Sequence, residues 1–144
     1  MGDTPKKSHG EHGVNLAAWD HRPDDPERYG CRNFTTKEDV RLSKVNQPSS
    51  YERLSSEDKA TLQEWIEREF APSNEVEPHG SYVLKHILQR LEGLYVTNGE
   101  FKGAMLIAGY EPVDRTELNW QFRSRLADPE LLNKSLGRAG PEVA

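Results

Sequence analysis

The stretch "YVTNGEFKGAMLIAGYEP", Tyr95 to Pro112, decides how this chain is read. Asn98-Gly99 is the preferred pair for a type I′ hairpin turn, and Tyr95, Val96 and Thr97 favour strands. The same residues also write a helix start. Thr97 and Glu100 stand at the N-cap and N3 positions of a capping box, and Val96 and Phe101 at the N′ and N4 positions of a hydrophobic staple. After Gly99 the alternation fails, and Phe101, Ala104, Met105 and Ala108 keep helical spacing. Gly109 and Pro112 supply the stop. A helix is therefore expected. Gly99 and Gly103 each weaken it by up to about 1 kcal/mol relative to Ala, which points to close packing at Gly103.

The preceding segment, "SYVLKHILQRLEG", is the most periodic in the chain. Val83, Leu84, Ile87, Leu88 and Leu91 predict a central helix with a broad apolar face. Gly93 predicts a left-handed terminator with Leu94 just beyond it. Residues 82–108 thus read as helix, turn, helix. A DNA-binding helix-turn-helix would place Gly99 and Lys102 where apolar packing residues belong, so a plain α-hairpin is expected.

Upstream, "SSEDKATLQEWIEREF" predicts a helix. Ser55 is its N-cap, Leu62, Trp65, Ile66 and Phe70 form one stripe, Glu64 and Arg68 make an i,i+4 pair, and Pro72 ends it. "TTKEDVRLSKV" is a candidate short helix with Val40 inward, "NQPSSYERL" a linker and "APSNEVEPHG" a polar loop. Downstream, Trp120 and Phe122 alternate with Gln121 and Arg123, predicting one short β segment near 118–123. "DPELLNKSLGRAG" predicts a terminal helix, with Asp128 as N-cap, Pro129 at N1 and Gly137 as stop.

The fold class expected is mainly α: a small helical domain over 35–136, a flexible arm over 1–34 and a tail over 137–144. In the arm only "VNLAAW" offers an apolar group that could dock. At 144 residues, with 34% hydrophobic and 30% charged content, there is one limited core. No run reaches the roughly 18 apolar residues of a membrane span. The N-terminus has no apolar signal region, and Lys6 stands where a myristoylation motif needs Ser or Thr. The single Cys31 excludes an internal disulfide and fits a reducing, cytoplasmic setting.

The net charge of −5 argues against phosphate as the default partner. The excess acid lies in residues 1–78, while residues 79–144 hold 8 basic and 8 acidic side chains. Arg115, Arg123 and Arg125 with Trp120 form the best basic-aromatic cluster. Asn98 and Lys102, at the start of the second hairpin helix, complete the set of candidate partner or nucleic-acid contacts.

Candidate chemistry is sparse. His9, His12, His21 and Cys31 could wrap a zinc ion, but one Cys with scattered His matches no established structural site. Cys31 with His21 lacks an orienting group and an oxyanion element. Asp24 with Asp25, and Glu67 with Glu69, read as solvated charge. His86 reads as a partly buried structural residue. No phosphate-cradling glycine pattern is present. No enzyme, cofactor or resident metal is expected.

Three blocks, "GSYVLKHILQR", "YVTNGEFKGAMLIAGYEP" and "LNWQFR", in this order resemble short uncharacterised proteins of bacterial phages and integrative mobile elements. The resemblance covers residues 80–123 and implies a bacterial or phage cytoplasmic setting. It carries no active site to transfer. The expected function is a non-enzymatic accessory factor that binds and modulates a host or element-encoded protein. The alternatives are a nucleic-acid-binding transcriptional regulator using a helix-turn-helix-like unit and the Arg115–Arg125 segment, and a zinc-binding domain.

Overall fold

A computed structural model describes residues 13–21 and 43–139. The expected helix over "TTKEDVRLSKV", the ligand candidates His9, His12 and Cys31, and the pair Asp24 and Asp25 lie wholly or mainly outside these residues.

Among the described residues, four α-helices and a two-stranded sheet are built around one core of buried side chains. Helix α1 (Ser56–Glu69) begins where Ser55 accepts the Asp58 N–H at 3.0 Å, and it buries Leu62, Trp65 and Ile66. Arg68 bonds to Glu69 and Glu92 rather than to Glu64. The residue before a proline avoids the α region, and the helix ends at Glu69, three residues before Pro72.

The polar loop expected over 71–80 is for the most part a strand. Strand β1 (Phe70–Val76) pairs antiparallel with β2 (Arg123–Leu126). The register matches Phe70 with Leu126 and Pro72 with Ser124, then becomes irregular before Val76. A proline is tolerated here because, among the described residues, each strand has only one paired edge. The β segment expected near 118–123 therefore lies further on, with Phe122 only in an isolated bridge to Pro112.

Helix α2 (Ser81–Glu92) buries Leu84, Ile87 and Leu88, while Val83 at its flank is 37% exposed. Gly93 ends it at φ 75°, the left-handed region that glycine enters without strain. After residues 93–97 comes α3 (Asn98–Ile107). Its capping box is complete in both directions: Thr97 Oγ1 accepts the Glu100 N–H, and Glu100 accepts the Thr97 N–H. Val96 and Phe101, the staple pair, are both buried. Gly109 (φ 100°) closes the far end: its N–H donates to Leu106 and that of Tyr110 to Met105, the two bonds of a Schellman motif. The stretch Tyr95–Pro112 thus holds a helix with both ends specified locally.

Helices α2 and α3 touch, yet the most extensive neighbour of α3 is the 3-10 turn Pro48–Arg53. That segment, expected as a linker, buries Pro48, Ser50 and Tyr51. Gly103 explains the contact. A Cβ there would lie 2.5 Å from the Tyr51 Cβ and closer still to the Pro48 carbonyl oxygen. At Gly99 a Cβ would lie 2.6 Å from the Gln47 nitrogen. Both glycines let backbone approach backbone, so the helix keeps them despite their low propensity.

Helix α4 (Leu131–Ala139) packs on α2. Asp128 accepts the Glu130 N–H at 2.9 Å and the Lys134 ammonium at 2.6 Å. Gly137 does not end this helix, which runs on to Ala139. Within the expected arm, Leu16 of the 3-10 turn Leu16–Trp19 is a core residue. No helix among the described residues is long and apolar enough to cross a membrane.

Candidate functional site

Two arrangements stand out, one interior and one on the surface. The interior one is organised by Asn98, the first residue of α3. Its Oδ1 accepts the Ser81 hydroxyl at 2.7 Å. Its Nδ2 lies within hydrogen-bond distance of Asn46 Oδ1, the Leu118 carbonyl and Asn119 Oδ1, at 3.0–3.2 Å. Ser81 Oγ in turn accepts the Trp120 N–H, while the Ser81 N–H donates to the Trp120 carbonyl. One amide thereby joins α2, α3, the 43–47 segment and the loop before β2.

Lys102, one turn further along α3, is 4% exposed. Its ammonium donates to the Asn46 carbonyl at 3.1 Å and lies 4.9 Å from the Trp120 ring centroid. Trp120 meets Trp19 edge-on at 6.2 Å, and the Arg115 guanidinium covers the Trp19 ring at 4.5 Å. Lys102, Trp120, Trp19 and Arg115 make a layered stack. It holds the 13–21 segment in place together with Asp20, which accepts from Ser49 N and Oγ, and Gln47, which exchanges two hydrogen bonds with the His21 backbone. The recess between Trp19, Gln47, Lys102 and Arg115 has room for about one water molecule, too little for a substrate.

The residues nominated from sequence as partner contacts therefore divide. Asn98, Lys102 and Trp120 are interior and tied into internal bonds. Arg115 is exposed but covers Trp19 and donates to the Ala18 carbonyl. Arg123 and Arg125 project from the same face of β2, with Arg123 donating to the Asn74 carbonyl. These six do not form one surface. Among the described residues no three His, Cys, Asp or Glu side chains gather as a metal site, and the His21 backbone is bound to Gln47.

The surface arrangement is one that sequence reasoning missed. Tyr82 and Tyr95 are 52% and 60% exposed. Between them runs Lys85, itself only 5% exposed, with its ammonium 5.3 Å from one ring centroid and 4.9 Å from the other. His86 meets Tyr82 edge-on at 4.6 Å. Burial first, and then the charges of Lys85 and Arg90, hold the His86 pKa below its ordinary value. Burial likewise lowers the Lys85 pKa, with Glu100 partly opposing it. Neither Lys85 nor Arg90 has an ion pair among the described residues. The sequence held one signal for this face: Tyr82, His86 and Arg90 recur every four residues, opposite the Leu84–Leu88 stripe.

A third feature is smaller. Glu77, buried in the turn before α2, accepts both the His79 N–H and a short 2.6 Å bond from His79 Nδ1. The pair fixes the entry to α2.

Comparison of the chain with protein-family models, curated proteins and solved structures returned no match.

Proposed function

We propose that this protein is a non-enzymatic binding protein that docks a protein partner on the outer face of α2. The observation that carries this reading is the exposed pair Tyr82 and Tyr95 flanking Lys85. Tyr82 stands on α2 and Tyr95 in the short segment that follows it, and exposed tyrosines are frequent interface anchors. The interior polar groups support the same reading because they are spent on internal bonds, and the recess beside them has no room for a substrate. Together with the resemblance over residues 80–123, this suggests an accessory factor of a phage or mobile element that modulates a host or element-encoded protein.

The test is a tagged pull-down with and without nuclease, run beside the double variant Tyr82→Ser/Tyr95→Ser. A protein retained after nuclease and lost with the variant supports the reading. Equal capture by both chains would remove this face from the function. A second reading, nucleic-acid binding, draws on the side-by-side exposure of Arg123 and Arg125 on β2. It requires oligonucleotide affinity that falls steeply with salt and survives the tyrosine substitutions.

A further inference from the structure

We infer that the α2 face is a receptor for an acidic segment of a protein partner carrying an apolar anchor beside its carboxylates. The inference rests on the binding-protein reading and names the chemistry of the partner. On a chain of net charge −5, this face carries two cations, Lys85 and Arg90, with no ion pair among the described residues. Lys85, His86 and Arg90 lie close enough that the two cations depress the imidazole. The nearest carboxylate acting on Lys85 is that of Glu100, which already accepts the Thr97 N–H in the capping box. Glu92, at the end of the same helix, is bonded to Arg68. Among the described residues Lys85 and Arg90 therefore have no ion-pair partner, and Glu100 acts on Lys85 only through its more distant charge.

The aromatic part sets the second requirement. Tyr82 and Tyr95 leave aromatic surface exposed on either side of Lys85, and Val83 adds exposed apolar surface beyond Tyr82. An incoming carboxylate that displaces water there meets a cation with low-dielectric walls, where a charge pair is stronger than on an open surface. An aliphatic or aromatic neighbour on the same segment would cover Val83 and the outer tyrosine edges. A nucleic-acid strand fits less well, because its run of phosphates extends past these two cations onto the acidic remainder of the chain, whereas a short peptide segment need not.

The test is an NMR titration of the full isotope-labelled chain with three probes: a Glu-rich peptide carrying Phe and Leu, the same peptide with Lys for Glu, and oligo-dT. The expected result is that only the first shifts the amides around Tyr82, Lys85, His86 and Tyr95, with affinity that weakens as salt rises. Arg90→Glu, at an exposed position, and Lys85→Met, which keeps the stem, should each weaken it about fivefold. Binding of the Lys peptide or of oligo-dT at this face would overturn the acidic-partner inference while leaving a docking face in place. Binding of the first probe unaffected by both substitutions would overturn it too. No shift at this face with any probe would overturn the inference, and loss of pull-down capture in Tyr82→Ser/Tyr95→Ser would then show the docking reading standing without it.

Discussion

Helices α2 and α3 are neighbours in sequence and opposite in use. Helix α3 is enclosed on nearly every side: of its ten residues all but Glu100 are buried. Helix α2 buries one stripe and presents Tyr82, Val83 and Arg90 to solvent. An enclosed helix answers to every element around it, so its side chains are set by internal geometry. A half-exposed helix has one face on which residues can be chosen for a partner. The difference teaches where to look for function: not at Asn98 and Lys102, polar though they are, but on the helix that precedes them.

The comparison implies that damage to α3 is structural. The largest effect is expected from Asn98→Asp. The change removes the Nδ2 donor and sets a carboxylate against Asn46 Oδ1, Asn119 Oδ1 and the Leu118 carbonyl. Denaturant unfolding should show a loss of about 3 kcal/mol at neutral pH. The loss should shrink as pH falls through the carboxylate's raised folded pKa, because protonation removes the charge and restores a donor. A loss unchanged by pH would mean that the site admits water and that α3 is not enclosed there.

Gly103→Ala comes next. Alanine favours helix by about 1 kcal/mol, yet its Cβ would meet Pro48 and Tyr51. A net destabilisation of about 2 kcal/mol is expected. Stabilisation instead would show that the 48–53 turn yields easily and that the enclosure of α3 is loose. On α2, by contrast, Tyr82→Ser/Tyr95→Ser should stay within about 0.5 kcal/mol of the parent, as surface changes usually do.

The smallest effect concerns His86. Its folded pKa is lowered by burial, Lys85 and Arg90, so the fold favours the neutral ring. Its contribution to stability is therefore fully present above the ordinary imidazole value of 6.5 and is lost as pH falls through the depressed folded value. Melting temperatures measured on either side of that value should separate less in His86→Gln than in the parent. An equal separation would assign the pH response to other groups.

Much of the helical structure was legible because its signals are local. Ser55, the Thr97–Glu100 box and the Gly109 terminator act within four or five residues, and the chain obeys each of them. The failures share a cause. Strand β1 has no alternation to advertise it, and its partner begins at Arg123, far along the chain. The 48–53 turn is polar and proline-rich, and its role comes from Gly103 lying opposite. Gly137 carries a stop signal that α4 overrides. The candidate contacts divide for the same reason: Trp120 reads equally well as a surface anchor or as core until its neighbours Trp19 and Lys102 are known.

By itself, then, the sequence determined which segments become helices and where most of them start, because caps, staples and apolar spacing operate over single turns. It also determined a small core and an acidic whole. Only the tertiary structure decided that a polar amide would anchor the interior, that the arginine cluster would be split between Trp19 and β2, and that two tyrosines thirteen residues apart would close on one lysine. Burial and proximity are properties of elements in contact, and the four-residue spacing of Tyr82, His86 and Arg90 marks an outer face of α2 without encoding that Tyr95 comes to lie beside it.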